Sequence, residues 1–284
     1  MRALLALRAQ IHVIMSPVGP YYPAGLVPID LFLDEENVRA WPGGTGQYKI
    51  GGNYAPTIQP QVQAMRAHKC QQVLYAIPGA ATPNIPPHPP LPSTPPTQPP
   101  PSAASSAPEP GVGAAAGGAL GGAEDGDVFV SESGAMNVFF LLRTEDGDEE
   151  LVTQPLDGTI LPGVTRDTVL ALCRSWAEGK GKGKGKGCAW GMEGQPGEWE
   201  GRLRVTERVL SVRELAAAGA EGRVLEMFGT GTAALIQPIR RLVRARGAPP
   251  IHTQRGPVLS ARIHDVVTDI QYGLLPDHPW SYKV

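Results

Sequence analysis

The sequence predicts a mixed α/β domain of the α+β kind, and the arrangement of its apolar runs supports that class. Two strand-like runs, 137–144 and 150–156, flank the polar segment EDGDE, which is typical of a hairpin between antiparallel strands. Amphipathic helical patterns occupy 165–179, 211–222 and 256–273, and a second pair of strands with a glycine turn occupies 224–239. Because consecutive strands are joined by short hairpins, a purely parallel, doubly wound sheet is excluded.

Each helical pattern carries signals for its ends. In the first, Thr165 is the predicted N-cap, and an apolar stripe follows on one face: Val169, Leu170, Leu172, Cys173 and Trp176. The second begins at Ser211, with Glu214 three residues later, which is a capping box. The third has a proline near its start and Gly273 at its end.

Composition excludes several classes of partner. The 284 residues allow one large domain or two ordinary ones, and a formal net charge of -2 argues against a nucleic-acid binder. The 3 cysteines, Cys70, Cys173 and Cys188, lie far apart without a CxxC, so neither a zinc site nor a disulfide framework is expected, and a reducing compartment fits. No apolar run approaches the ~20 residues that a membrane span needs, so no membrane partner is expected.

Two segments are predicted to lie outside the compact core. Residues 78–122 are rich in proline, with almost no charge, and burial there cannot offset the entropy of ordering the chain, so disorder or polyproline II is expected. A ligand for an SH3-type partner is the alternative to a tolerated surface insertion. Residues 179–201 begin with alternating glycine and lysine, and a solvated loop is weighed against a polybasic contact with phosphate or membrane.

The N-terminal run IHVIM, residues 11–15, is predicted to be a buried strand. A signal peptide is the alternative, but Arg8 and Gln10 interrupt the apolar patch and no small-residue cleavage site follows. The chain begins without an obvious leader or first helix.

Two glycine-marked segments are candidate anion sites. GTGTAA, 229–234, lacks the third glycine of a dinucleotide-binding fingerprint and the GK[ST] of a P-loop. It is therefore either an anion nest, helped by the hydroxyls of Thr230 and Thr232, or a simple turn. LPGVTRDT, 161–168, leads into a helix N-terminus, where unpaired N–H groups suit a phosphate, and an ordinary capped helix is the alternative.

Lys49 and Glu132 are the candidate reactive residues. Lys49 lies in GGTGQYKIGGNYAPT, 43–57, and is either a solvated charge or, if burial lowers its pKa, a nucleophile that forms a Schiff base with a carbonyl. Glu132, in VSESGAMNVF, either caps a turn or contacts a ring nitrogen. A lysine, an acid and two N–H-rich phosphate sites are together the parts that hold pyridoxal phosphate.

These motifs taken together resemble a known family. The chain resembles the branched-chain amino acid aminotransferases, which are pyridoxal-phosphate enzymes of fold type IV. The resemblance lies in the order and amino-acid sequence of six motifs: RAWPGGTGQYKIGGNYAPT, SESGAMN, PLDGTILPGVTRDTV, EMFGTGTAA, GPV and DIQYG. The resemblance runs from about residue 16 to residue 284, outside the two insertions. It implies the large C-terminal domain of that fold, with the small N-terminal domain largely missing.

The resemblance implies roles for three residues around the cofactor ring. Lys49 matches the lysine that forms the Schiff base with the cofactor and then acts as the catalytic base. Tyr54 matches the tyrosine that hydrogen-bonds the phenolic oxygen, and Glu132 matches the glutamate that pairs with the pyridine nitrogen. The glycines near Lys49 are then interpreted as room for the cofactor ring.

The resemblance also implies the phosphate and substrate contacts. Val164 and Thr165, at a helix start, match the pair that binds the cofactor phosphate, and Thr232 in the glycine turn matches a third phosphate ligand. The backbone of Thr232 and Ala233 matches the segment that meets the substrate carboxylate. No metal is implied.

The implied activity is transfer of the amino group of leucine, isoleucine or valine to 2-oxoglutarate. The expected partners are therefore small amino acids and 2-oxo acids, with a homodimer for the full-length protein, in the cytoplasm, a plastid or a mitochondrion. The open alternatives are a truncated, non-catalytic remnant or binding module, and another fold type IV enzyme such as a D-amino acid aminotransferase or aminodeoxychorismate lyase.

The resemblance also divides the chain and marks departures from the family. Residues 1–24 are expected to be the last strand of the small domain with the interdomain loop, and 25–284 the cofactor-binding domain. The small domain would carry an arginine for the phosphate and much of the dimer contact. Ala135 stands where animal members have a threonine, and Ala234 and Gln237 stand where they have a CxxC redox pair, so that switch is not expected.

Overall fold

A computed structural model of the chain describes residues 10–17, 26–79, 127–178, 202–275 and 278–281. The strands in these ranges are β1 (Ile29–Asp34), β2 (Gln72–Pro78), β3 (Val128–Ser133), β4 (Asn137–Arg143), β5 (Glu149–Thr153), β6 (Leu203–Glu207), β7 (Val224–Gly231), β8 (Leu235–Arg244) and β9 (Ile251–His252). The α-helices are α1 (Ala55–Gln63), α2 (Val164–Ala177), α3 (Val212–Ala220) and α4 (Val258–Gln271). A 3-10 turn, Gly51–Asn53, precedes α1, and a π-helical turn, Ala64–His68, follows it.

All of these strands belong to one mixed sheet. Its order is β3-β2-β1-β8-β7-β4-β5-β6, and β9 pairs with β8 outside that path. The predicted hairpins β4–β5 and β7–β8 are antiparallel, whereas β1 is parallel to both β2 and β8. The predicted α/β class, with its exclusion of a purely parallel sheet, is confirmed.

The sheet curls so that strands far apart in its order meet. Four strands separate β3 from β4 in the sheet, yet only residues 134–136 connect them along the chain. The Ser133 amide donates to the Met136 carbonyl at 3.0 Å across that turn. The edge strand β3 must therefore come round to lie beside the start of β4, and this closure brings Glu132 to the inner part of the domain.

The hydrophobic core occupies both faces of the sheet. Along β4, Val138, Phe140 and Leu142 pack on the side of α3, whereas Phe139 and Leu141 pack on the side of α2 and α4. This alternation follows from the two-residue repeat of a strand. A strand buried on both faces needs an almost continuous apolar run, which is what the sequence NVFFLLR supplies.

Helix α2 begins earlier than predicted. The N-cap is Gly163, with an extended backbone at φ -69 and ψ 132, so Thr165 lies inside the first turn and the predicted N-cap is wrong. Pro162 favours an extended conformation before the helix, and the Gly163 position is close-packed, which together place the start at Val164. The predicted apolar stripe is buried and is confirmed.

The ends of α3 and α4 follow the sequence signals more closely. Ser211 caps α3 by accepting from the Glu214 amide at 3.0 Å. The Glu214 carboxylate bonds Arg208 instead of returning to the cap, so only half of the capping box forms. Helix α4 begins after Pro257, and Gly273 has the positive φ of +70 that terminates such helices.

Residues 11–15 do not form the predicted strand. They have no regular structure, and Ile11, Ile14 and Met15 are at least 90% exposed. The run pairs with none of the described strands. The insertion at 179–201, and 80–122 of the proline-rich one, lie outside the described residues. Within the described ranges, no helix has both the length and the apolar character to cross a bilayer.

Candidate active site

Asn137 is the polar side chain at which the segments of the site meet. At the start of β4, it pairs with Thr230 of β7. Its Nδ2 donates to Glu132 Oε2 at 2.9 Å and to the Leu161 carbonyl at 2.8 Å. A methyl group added at Gly163 would lie 2.3 Å from its Oδ1, so the helix start packs directly against it. Asn137 therefore ties β3, β7 and the start of α2 together.

Glu132 is held by donors on both carboxylate oxygens. Its side chain lies at the end of β3 and is almost completely buried. The Leu161 amide donates to Oε1 at 3.0 Å, and Asn137 donates to Oε2. The guanidinium of Arg39, itself buried, forms an ion pair with Oε1 at 2.5 Å. The acid predicted to meet a ring nitrogen is therefore fixed in one orientation by three neighbouring groups.

Burial controls the pKa of Glu132. Loss of solvation raises this pKa to about 8, while the charges of Arg39, Lys49 and Arg166 and the Leu161 hydrogen bond oppose the rise. A buried carboxyl is costly to ionise without a partner cation. The charge on Glu132 therefore depends on which cations lie beside it.

Lys49 lies on the surface of the glycine-rich loop between β1 and α1. Its side chain is exposed, and its Nζ lies 5.0 Å from the centroid of the Tyr54 ring, a cation–π contact. Asn53 shapes the loop from inside: its Nδ2 donates to the carbonyls of Thr45 at 2.8 Å and Tyr48 at 2.7 Å. Its Oδ1 accepts from the Thr45 hydroxyl at 2.8 Å. The loop therefore presents Lys49 and Tyr54 side by side.

Glycine occupies the positions near Lys49 for different reasons. A methyl group at Gly46 would lie 2.5 Å from the Thr159 carbonyl oxygen and 2.6 Å from the Ala40 Cβ. Packing against protein, and not room for a cofactor, therefore explains Gly46. By contrast, methyl groups at Gly51 and Gly52 would meet nothing within 4 Å. The interpretation of the glycines as cofactor space is thus wrong for Gly46.

The N-terminus of α2 is open to a ligand. Gly163 at the N-cap has no side chain that could accept the first N–H groups of the helix. Val164 is 71% exposed, whereas the side chain of Thr165 is buried beside it. The free N–H groups and the positive end of the helix dipole suit an anion such as a phosphate.

The turn between β7 and β8 carries the second candidate site for an anion. Thr232 and Ala233 are exposed, between the paired residues Gly231 and Leu235. A methyl group at Gly231 would lie 3.2 Å from the Ala135 carbonyl, so this turn packs on the turn after Glu132. The structure therefore brings Glu132, the start of α2 and the Thr232 turn to one end of the sheet.

Three important residues were not singled out from the sequence. Arg39 and Asn53 stand in the recognised motif without an assigned role, and Asn137 begins an apolar strand run. A polar residue next to a run that must be buried is a usable signal, since buried polar groups need partners. That signal identifies Asn137, but no spacing rule connects Arg39 to a glutamate on a distant strand.

Comparison with known proteins shows which family the chain resembles. The sequence model of the class IV amino-transferase family matches residues 120–181. The chain is 36% identical over 278 residues to the mitochondrial branched-chain-amino-acid aminotransferase of Schizosaccharomyces pombe, covering 96% of this chain and 48% of that protein. It is 34% identical over 279 residues to the cytosolic one of Ovis aries, covering 98% and 54%.

Among solved structures, the branched-chain aminotransferase from Thermoproteus uzoniensis, crystallised with norvaline, superposes with a TM-score of 0.52 at 19% identity. That alignment covers 93% of this chain and 58% of the other, and it shows a shared fold. The chain is thus similar to the class IV aminotransferase family, and it shares the fold of fold type IV enzymes. Its relatives within that family are branched-chain-amino-acid aminotransferases, and it spans about half of their length.

Proposed function

We propose that this chain is the large, cofactor-binding part of a branched-chain-amino-acid aminotransferase that uses pyridoxal phosphate. The observation that carries the proposal is Glu132, a buried carboxyl fixed by Asn137, Arg39 and the Leu161 amide at the end of the sheet where Lys49 also contributes positive charge. An apolar residue could fill the same space, so packing alone does not explain a buried carboxyl here. Buried acids with strongly shifted pKa values concentrate at functional sites.

The residues present fit the cofactor. Glu132 Oε2 accepts only the Asn137 bond among the described residues, which leaves a lone pair for a protonated ring nitrogen. Arg39 Nε and the Thr230 hydroxyl are buried without hydrogen-bond partners in the described part of the chain. Orphaned buried polar atoms of this kind are expected where a ligand binds. The bound cofactor supplies an electron sink that stabilises a carbanion at the substrate Cα.

The phosphate would be held at the start of α2 and at the β7–β8 turn. The amides of Val164 and Thr165 point out of the uncapped helix, and the hydroxyls of Thr165 and Thr232 add donors. The backbone of Thr232 and Ala233 would meet the substrate carboxylate. These assignments rest on the resemblance and are supported by the meeting of the two segments at one end of the sheet.

Lys49 would act as the base that removes the proton from the substrate Cα. Its amine is exposed on the loop that Asn53 holds, and Tyr54, in contact with it, would donate to the cofactor's phenolic oxygen. Both residues lie on the same short loop, so the base and the ring contact move together.

The proposed substrates are leucine, isoleucine and valine, in line with the branched-chain-amino-acid aminotransferases among the relatives, and the proposed acceptor is 2-oxoglutarate. Relatives with cytosolic and with mitochondrial names both align, so they favour neither compartment. A homodimer stays a prediction. It is supported by the exposed apolar row of Ile58, Val62 and Met65 on α1 and the π turn, which offers a surface for a protein contact.

Cofactor capture tests this proposal. The purified chain would be incubated with pyridoxal phosphate, reduced with borohydride and digested, and the pyridoxyl adduct located by mass spectrometry. We expect the adduct on Lys49, its loss in Lys49→Arg, and its retention in the matched control Lys69→Arg, whose exposed side chain lies outside the site. An adduct spread over surface lysines contradicts the proposal.

Substrate tests then separate the enzyme classes. Transfer from leucine to 2-oxoglutarate, measured with the chain fused to a small domain of a relative, supports the branched-chain assignment. Turnover of D-alanine but not leucine points to another fold type IV enzyme. Cofactor capture without any turnover points to a binding module.

A further inference from the structure

We propose that Arg39 is a positioning residue that orients Glu132 toward the ring nitrogen of the cofactor and favours its ionised form. This inference rests on the proposed function, because it assigns Glu132 to that nitrogen. Arg39, which precedes the loop of Lys49, would thereby influence the ionisation of Glu132 on β3.

The geometry joins two buried charges from distant parts of the chain. Arg39 lies between β1 and the glycine-rich loop, and its side chain is 2% exposed, while that of Glu132 is 3% exposed. Their 2.5 Å ion pair joins the segment before the glycine-rich loop to the end of β3. A buried ion pair is not itself a strong source of stability, but loss of one partner leaves the other as an isolated buried charge.

The surroundings of Glu132 suit a carboxylate. Its described partners are all donors: Arg39 and the Leu161 amide on Oε1, and Asn137 on Oε2. A protonated carboxyl would need an acceptor for its own hydrogen, which none of these groups provides. Lys49 and Arg166 add positive charge at longer range. Burial acts in the opposite direction, so the balance depends on the cation in direct contact.

Arg39 has the largest of the effects that oppose burial. Its charge lowers the pKa of Glu132 more than the Leu161 hydrogen bond does, and more than the charges of Lys49 and Arg166 do. Without Arg39, the pKa of the carboxyl would rise further above about 8, so that ionising it to pair with a protonated ring nitrogen would cost more free energy. A guanidinium in direct contact therefore serves the chemistry as well as the packing of the loop.

The test is an infrared titration of the cofactor-free chain. The protonated carboxyl band of Glu132 is assigned by its loss in Glu132→Gln and followed with pH in wild type, Arg39→Gln and Arg39→Lys. We expect the midpoint to rise by about one to three pH units in Arg39→Gln, because an adjacent opposite charge shifts a carboxyl by that amount. Arg39→Lys should give a smaller rise, since it keeps the charge but not the reach of the guanidinium.

The matched control is Arg246→Gln, which makes the same change at an exposed ion pair with Glu36 at 2.8 Å. Its Glu132 band should titrate as in wild type. A folded Arg39→Gln whose midpoint does not move overturns the inference, because a purely structural arginine would change thermal stability alone. If Arg39→Gln does not fold, an unshifted Arg39→Lys overturns it. Failure of the wild-type chain to capture pyridoxal phosphate refutes the proposed function but leaves this titration readable.

Discussion

The side-chain amide of Asn53 donates a 2.7 Å hydrogen bond to the carbonyl of Tyr48, the residue that precedes Lys49. Asn53 is buried, whereas Tyr48 and Lys49 are exposed. The bond therefore fixes a surface lysine from within the domain, through its neighbour's backbone. The position of the candidate catalytic amine is set by a side chain that need not touch substrate or cofactor.

Asn53→Ala should loosen this loop. It removes both Nδ2 bonds and the acceptor of the Thr45 hydroxyl, so we expect a loss of about 1–3 kcal/mol in the free energy of unfolding. Capture of pyridoxal phosphate at Lys49 should weaken in parallel. Urea unfolding and the pyridoxyl adduct yield measure the two effects. Asn53→Asp keeps the acceptor but not the donors, and adduct formation as efficient as wild type in that variant would count against the role given to the donors.

Gly46→Ala should be strongly destabilising. Its methyl group would lie 2.5 Å from the Thr159 carbonyl oxygen, which is backbone and cannot move cheaply. Overpacking of this kind typically costs about 1–3 kcal/mol. Gly52→Ala is the matched control, since its methyl group meets nothing within 4 Å, and a change of less than about 0.5 kcal/mol is expected there. Equal thermal midpoints for the two variants would show that the close contact is not real.

Glu132 should make stability depend on pH. Its pKa is about 8 in the folded chain, against an ordinary value of 4.5, so between these values the folded chain binds more protons than the unfolded one. The contribution of Glu132 is therefore fully present below about pH 4.5 and is lost as the pH rises to about 8, by up to about 1.4 kcal/mol per pH unit.

The measurement is the difference in unfolding free energy between wild type and Glu132→Gln, in cofactor-free chain, from about pH 5 to about pH 9. This difference should fall with pH and then level off. Glu36→Gln, at an exposed position, should give a nearly flat difference. A wild-type advantage that grows with pH would mean that the folded pKa of Glu132 is lowered.

Glu226 should be essential to the start of α4. From β7 its buried carboxylate accepts from the Leu259 amide at 2.8 Å and from the Ser260 amide at 3.2 Å and hydroxyl at 3.0 Å. Glu226→Ala leaves those donors unpaired, at a cost of about 2–3 kcal/mol. Glu221→Ala breaks an exposed pair with Arg223 and should change stability by less than about 1 kcal/mol. Equal denaturation midpoints would contradict this assignment.

Local patterns predicted the elements of the fold well. The β4–β5 and β7–β8 hairpins, the buried stripe of α2 and the Ser211 cap each depend on residues close together in sequence. The start of α2 was missed because Thr165 is a good N-cap by residue type. The structure instead uses Gly163, whose position against Asn137 is set by tertiary packing.

The candidate site was predictable in part. Lys49, Glu132 and Thr232 came from recognised motifs, and their roles stay predictions, while the structure brings the segments of Glu132 and Thr232 together. The contact of Arg39 with Glu132 was not predictable, because it depends on the curl that carries β3 round to β4. The strand predicted at 11–15 was wrong because its apolar pattern suits a strand, whereas pairing depends on a distant partner that local sequence does not identify.

The pairing of β2 with β3 keeps the site independent of the segment that connects those two strands. Pro78 pairs with Val128, and the Gly79 amide donates to the Asp127 carbonyl at 2.7 Å. The chain therefore leaves and re-enters the sheet at adjoining points, and Glu132 lies only a few residues beyond the re-entry. The intervening stretch can vary in length and amino-acid sequence without altering the path of the chain to Glu132. This junction is therefore the natural place to open the chain for new termini or a grafted domain.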